Sequence, residues 1–335
     1  MKFIRIILFP LVPFYYIVTW LRNIFYDKGW LKSKPYNLPV ICVGNLSTGG
    51  TGKTPMIEYL VRLLKKEYKV ATLSRGYKRK TDGFVVADAE ADASSIGDEP
   101  YQFYRKFPEI IVAVDADRQN GITQLLTYKD RPDVILLDDA FQHRRVKAGF
   151  NILLTSYQKP YTKDFVLPTG NLREPRSGAN RADVIIVTKC PIGLEEDEKR
   201  RMLSQLSLKA GQDVFFSQIN YSEKLKSSKI GLELDDLPKF TLVTGIANPQ
   251  PLVEYLTDKG LRFEHIEYRD HHEFKPHDIK MLSEKKLIVT TEKDYVRLSA
   301  ANELKGKLFY LPIRFKIDRP IEFEALVHSY LAKET

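Results

Sequence analysis

Residues 47–54, S-T-G-G-T-G-K-T, lie between an apolar run and an amphipathic one and have the clearest chemical purpose in the chain. Small residues let a backbone bend tightly around phosphate oxygens, and successive N–H groups with a helix N-terminus then bind the anion. Ser47, Thr48, Gly49, Gly50, Thr51 and Gly52 would form that cradle. Lys53 would reach the β- and γ-phosphates, and the Thr54 hydroxyl would ligate Mg²⁺. Ser47 stands where the usual pattern has glycine, and Gly49 and Gly50 are extra glycines that compensate. A ligand-free, glycine-rich helix start would not explain Lys53 and Thr54 together.

The second signal is D-D-A-F-Q-H at 138–143, directly after the apolar run 134–137. Acids ending a strand beside a phosphate loop hold Mg²⁺ directly or through water, so Asp138 and Asp139 are the metal candidates. Gln142 and His143 would orient phosphate, metal-bound water or substrate; the alternative for His143 is that it only fixes its loop. Guanine specificity favours an N-K-x-D-like segment. T-K-C-P at 188–191 lacks the acid and T-E-K-D at 291–294 has the wrong order, so ATP is the expected nucleotide. His265, His271, His272 and His277 lack the tight spacing of a zinc site. The two cysteines, Cys42 and Cys190, fit buried thiols of a reducing compartment.

These motifs need a scaffold. From residue 35 onward, strand and helix patterns alternate: strands at 39–44, 70–73, 110–114, 134–137, 152–154 and 184–187, with helices at 55–67, 100–107, 118–128 and 195–208. The segment 75–93 reads as a loop with a short hairpin near Asp82. That rhythm, with the phosphate loop (P-loop) after its first strand, predicts an α/β fold with a mainly parallel sheet flanked by helices. Periodicity fades over 222–238, read as a linker, and a second, smaller α/β unit follows at 239–335. The phosphate-loop unit is placed at 36–221.

The first 35 residues differ from the rest. They are apolar and aromatic, with no charge between Arg5 and Arg22, and Pro10 and Pro13 interrupt any long helix. Tyr15, Tyr16, Trp20, Phe25, Tyr26 and Trp30 suit a membrane interface, and Lys2, Arg5, Arg22, Lys28, Lys32 and Lys34 suit anionic headgroups. An interfacial anchor is the expectation; a spanning helix and an ordinary docked helix are the alternatives. A net charge of +9 with 43% hydrophobic and 28% charged residues describes a globular chain with an anionic partner. No helicase or recognition motif points to nucleic acid.

Taken together, the motifs resemble the tetraacyldisaccharide 4′-kinase (lipid A 4′-kinase) family. The residues that carry the likeness are V-G-N-L-S-T-G-G-T-G-K-T-P at 43–55, S-R-G-Y at 74–77, G-D-E-P at 97–100, D-D-A-F-Q-H at 138–143, L-P-T-G-N-L-R-E-P at 167–175, D-H-H at 270–272 and T-T-E-K-D at 290–294. Ala140 and the T-G-N of 169–171 depart from the common family pattern. The resemblance implies MgATP-dependent phosphorylation of the 4′-hydroxyl of a tetraacylated glucosamine disaccharide 1-phosphate. It implies a peripheral enzyme at the cytoplasmic face of the bacterial inner membrane, with no obligate protein partner evident. It further implies Asp98 as catalytic base, His271 as its partner with His272 as rival, and Glu174 near Mg²⁺. Arg173 would stabilise phosphate charge, and Asn45, Arg75 and Gln142 are secondary phosphate or substrate candidates. Read from its residues alone, Asp98 is a helix N-cap, and the alternative for Arg173 and Arg176 is a solvated loop pair. A partitioning-type ATPase is the competing reading, which the 167–175 and 270–272 motifs oppose.

Overall fold

The computed structural model describes residues 7–227 and 230–334, so Lys2, Phe3 and Arg5 of the anchor segment lie outside the described residues. The first long element is α1 (Val12–Asp27), preceded by a 3₁₀ turn with a proline in its first turn. Then come β1 (Val40–Asn45), α2 (Lys53–Leu64), β2 (Val70–Ser74), β3 (Val85–Val86), α3 (Ala93–Ile96), α4 (Asp98–Lys106), β4 (Ile111–Val114), α5 (Arg118–Leu126), β5 (Val134–Asp138), β6 (Phe150–Ser156), β7 (Val184–Thr188), α6 (Glu196–Gln205) and β8 (Asp213–Tyr221). The second half contains β9 (Lys224–Lys226), β10 (Gly231–Glu233), β11 (Phe240–Thr244), α7 (Gln250–Asp258), β12 (Phe263–Glu267), α8 (Pro276–Ser283), β13 (Ile288–Thr290), α9 (Glu292–Leu298), β14 (Leu308–Tyr310), β15 (Ile313–Ile317) and α10 (Pro320–Glu334).

Two sheets result. The larger has nine strands in the order β15-β8-β7-β6-β1-β5-β2-β4-β3. Its interior pairs are parallel, and only its outer strands β15 and β3 run antiparallel. All six residues of β1 are buried, as expected for a central strand covered on both faces. One core lies on each side, the first around Met56, Leu60 and Phe103 and the second around Ile122, Leu153 and Ile185. The smaller sheet has six strands in the order β10-β9-β14-β13-β11-β12. This is the α/β architecture the alternating pattern implies.

Two boundaries differ from the sequence reading. The stretch read as a linker contains β9 and β10, an antiparallel pair that joins the smaller sheet through β14. The chain end also leaves the second unit. β15 pairs with β8, and Phe323, Val327, Tyr330 and Leu331 of α10 enter the first core. The Tyr330 hydroxyl accepts from Val40 N at 3.0 Å and lies 3.2 Å from Val40 O, fastening α10 to the start of β1. The larger lobe is therefore built from both ends of the chain.

Candidate active site

The phosphate loop spans the turn from the end of β1 to the start of α2. Gly52, just before the helix, has φ +93°, a left-handed backbone that residues with a Cβ rarely adopt. The loop is braced from both sides. Asn45 Nδ2 donates to Thr51 Oγ1 at 2.7 Å, and Thr188 Oγ1, at the end of β7, donates to Thr51 O at 2.8 Å. Thr48 N donates to Asn171 O and Arg173 N to Leu46 O, both at 2.7 Å. Ser47 bridges to Leu172, so the segment around 171–173 forms a wall of the loop. At Ser47, where glycine is usual, the backbone is thus bridged to the 171–173 segment.

β5 lies beside β1, with Asp138 in register with Val43, which brings the acid pair to the loop. Lys53 Nζ is 3.7 Å from Asp139 Oδ2. Arg173 holds the same carboxylate in a two-pronged grip, NH2 to Oδ1 at 2.6 Å and NH1 to Oδ2 at 3.2 Å. Burial opposes charge on Asp139, but Lys53 and Arg173 overcome it and hold its pKa below the usual carboxylate value. Asp138 goes the other way. Burial, then the charges of Asp139 and Glu99, push it up to about 6. Ser74 Oγ lies 3.3 Å from its Oδ2, while its Oδ1 is buried with no hydrogen-bond partner. A buried, orphaned carboxylate oxygen calls for a cation, and Thr54 is buried at the start of the adjacent helix. Asp138, Asp139 and Thr54 therefore fit Mg²⁺. Among the described residues no cluster of three or more His, Cys, Asp or Glu could by itself hold a metal. Mg²⁺ commonly takes only one or two carboxylates and fills its shell with water and phosphate.

Three expected ligand contacts are placed elsewhere. Glu174 is fully buried, and its oxygens accept from Asn23 Nδ2 at 2.6 Å, Arg181 NH2 at 2.8 Å and Gln142 Nε2 at 3.0 Å. These partners overcome burial and hold its pKa low. Held in this way, Glu174 organises the loop. Gln142 also donates to Asn45 O at 2.8 Å, so its amide faces protein and not phosphate. Asn45 is fully buried, with Oδ1 accepting from Arg173, and belongs to the loop's frame, not to its ligand surface. Arg75 is exposed at the end of β2, open to a ligand. His143 Nε2 lies 3.7 Å from Asp117, and burial followed by Arg118 lowers its pKa and keeps it neutral.

The other half of the site spans the two lobes. Asp98 is the first residue of α4 and follows Gly97, whose φ of +94° again requires glycine. Gly97, not Asp98, therefore occupies the cap position; Asp98 Oδ2 lies 3.3 Å from His271 Nδ1 and 3.5 Å from Arg297 Nε. Burial opposes its ionisation, but the His271 hydrogen bond and the Arg297 charge win and lower its pKa. His271 itself has φ +55°, rare for a residue with a Cβ, and its N–H donates to Gly245 O at 3.1 Å. His272 faces elsewhere, 3.0 Å from Asp278 and stacked on Tyr268. The lobes are also joined by Lys293 to Glu99 at 2.6 Å, and by Lys106, which reaches Glu292 of the smaller lobe and Glu58 of α2.

Sequence reasoning missed Arg297 and Arg118. Arg297 follows Lys293 by four residues on α9, and projecting the T-T-E-K-D helix by one turn would have found it. It donates to His272 O at 3.0 Å and pairs with Asp294, fixing the loop that presents His271. Arg118 is almost fully buried behind Asp138 and donates to Ala116 O at 3.1 Å. Only its place at the start of a helix marked it.

Known proteins resemble this chain along nearly its whole length. The family model for tetraacyldisaccharide-1-P 4′-kinase (LpxK) matches residues 4–332. A tetraacyldisaccharide 4′-kinase of Flavobacterium johnsoniae is 51% identical over 99% of this chain and 98% of its own length. The corresponding protein of Parabacteroides distasonis is 46% identical over 96% and 94%. Among solved structures, the "apo" form of LpxK from Aquifex aeolicus in complex with ATP superposes with a TM-score of 0.79 at 31% identity, covering 98% of this chain and 99% of that one. The chain belongs to the tetraacyldisaccharide 4′-kinase family, the kinases of lipid A biosynthesis.

Proposed function

We propose that this chain transfers the γ-phosphate of ATP to the 4′-hydroxyl of tetraacyldisaccharide 1-phosphate. The observation that carries the reading is the pairing of a braced phosphate loop with an ionised carboxylate, Asp98, held from the opposite lobe by His271 and Arg297. The loop amides and Lys53 would bind and orient the nucleotide phosphates, and Arg173 would keep Asp139 in place. Asp138, Asp139 and Thr54 would hold Mg²⁺, which when bound supplies charge neutralisation for phosphoryl transfer. Asp98 takes the proton of the acceptor hydroxyl as its oxygen bonds to the γ-phosphorus; the bond to the bridging oxygen breaks and ADP leaves. His271 orients Asp98 and takes up part of the charge change.

The N-terminal helix supports an acylated substrate. Toward the protein α1 presents Tyr15, Thr19 and Asn23, the last two buried. Toward the outside it presents Phe14 and Val18, 71% and 66% exposed, with Ile17, Trp20 and Leu21. A helix with its polar residues inward and its apolar residues outward is matched to a lipid surface and not to water. Among the described residues no helix is long and apolar enough to cross a membrane, so α1 would lie on the membrane surface.

The test is transfer of labelled γ-phosphate from MgATP to tetraacyldisaccharide 1-phosphate in detergent micelles, with Lys53→Ala as control. One added phosphate on the lipid, absent with the control, supports the reading. Nucleotide binding by folded protein without lipid phosphorylation rejects it.

A further inference from the structure

We infer that Asn23 and Tyr15 of α1 are positioning residues for the phosphate loop, so that the helix proposed to seat on lipid is also part of the frame that shapes the nucleotide site. The lipid-facing part of this inference rests on the membrane reading above; the link to the loop does not.

Two short chains of hydrogen bonds connect the helix to the loop. In the first, Asn23 Nδ2 donates to Glu174 Oε2 at 2.6 Å, Gln142 Nε2 donates to Glu174 Oε1 at 3.0 Å, and the same amide donates to Asn45 O at 2.8 Å. Asn45 is the last residue of β1 and holds Thr51 of the loop. In the second, the Tyr15 hydroxyl donates to Arg173 O at 2.9 Å. Arg173 donates its N–H to Leu46 O and its guanidinium to Asp139. The first chain places three residues, Glu174, Gln142 and Asn45, between the helix and Thr51; in the second, Arg173 alone stands between Tyr15 and Leu46.

Burial makes the first chain consequential. Glu174 is fully buried and Asn23 is 6% exposed. Removing the Asn23 amide leaves a charged buried oxygen with one donor fewer, and an unsatisfied buried charge relaxes by moving toward other donors. The nearest are Gln142 and Arg181, so the adjustment passes to Asn45 O. The helix is held in register for this contact by Arg144, which donates to Asn23 O at 2.8 Å and pairs with Asp27 at 2.7 Å. The apolar residues Phe14 and Val18 take no part in either chain.

The experiment uses the full chain in five variants: Asn23→Ala, Gln142→Ala, the double variant, Phe14→Ser/Val18→Ser and Tyr15→Phe. Nucleotide affinity is read with a fluorescent ATP analogue, lipid association by flotation with vesicles of anionic phospholipid, and turnover in detergent micelles. Asn23→Ala is expected to weaken nucleotide affinity and turnover by roughly tenfold while flotation stays unchanged. Because Asn23 acts through Gln142, the double variant should be no worse than the poorer single variant, whereas independent sites would multiply. Phe14→Ser/Val18→Ser should lose flotation and keep nucleotide affinity. Tyr15→Phe, which removes one hydroxyl and cannot empty the core, covers the case in which Asn23→Ala does not fold; about a threefold loss of nucleotide affinity is expected. Wild-type affinity in Asn23→Ala or, if that does not fold, in Tyr15→Phe overturns the inference, as does multiplication of the Asn23 and Gln142 effects. Because affinity is read without acceptor, a wild-type protein that fails to phosphorylate the lipid rejects the proposed function and leaves this result readable.

Discussion

The two halves of the site are built differently. The nucleotide half is made within one sheet: loop, acid pair and Arg173 meet at the ends of β1, β5 and the 171–173 segment, and each is fixed by backbone bonds. The acceptor half exists only where the lobes meet, with Asp98 on α4 and His271 on a loop of the smaller lobe. The first half would bind its ligand with or without the second. The second depends on the lobes staying together, through Lys293 with Glu99 and Lys106 with Glu292. On the proposed assignment, phosphate binding would be a local property, and proton removal a property of the paired lobes.

The comparison can be broken most severely from the nucleotide side. Lys53→Ala should reduce transfer about 10³-fold, as expected when a charge that stabilises the transition state is removed; phosphate transfer and nucleotide affinity should fall together. His271→Ala should be milder, roughly tenfold to a hundredfold in kcat, with nucleotide affinity within about twofold of wild type. A parallel loss of affinity in that variant would mean the halves are not separate. Lys293→Met removes a lobe-spanning contact without touching the loop, and about a threefold to tenfold fall in kcat is expected, read against an unchanged nucleotide affinity.

The smallest effect concerns pH and the lobe junction. Burial and the neighbouring Glu58 push Glu292 up to about 7 from an ordinary 4.5, with Lys106 opposing. The unfolded chain ionises this acid above its ordinary value while the folded chain keeps it protonated until about 7. The folded state therefore loses stability as pH rises between those values. Glu292→Gln should flatten that decline and change transfer by less than about twofold; urea midpoints at pH 5 and 8 would show it. A slope equal to wild type would mean that Glu292 titrates normally and the junction is not strained by charge.

Much of the nucleotide half was legible because its motifs are contiguous and lie on strands with clear apolar runs. The runs at 39–44, 134–137 and 184–187 placed these strands, whose observed ends at Asn45, Asp138 and Thr188 lie one residue further on. The acceptor half was legible only through resemblance: 173 residues separate Asp98 from His271, and nothing local joins them. Side-chain direction was not legible either. Asn45, Gln142 and Glu174 carry groups suited to phosphate or metal, yet each is turned into a buried network, because a buried carboxylate must find donors before it can serve a ligand. The polar residues 222–238 hid β9 and β10, whose stability comes from pairing and not from their own pattern. The return of 313–334 to the larger lobe was invisible because a strand's sequence does not name its partner.

The most direct test of the account is to measure nucleotide affinity and phosphate transfer on the same preparation of Asp98→Ala. The account predicts affinity within about twofold of wild type and transfer reduced by about 10²- to 10⁴-fold, with the protein still folded. Transfer near the wild-type rate would contradict the assignment of Asp98 as base, and a matching collapse of affinity would contradict the separation of the two halves.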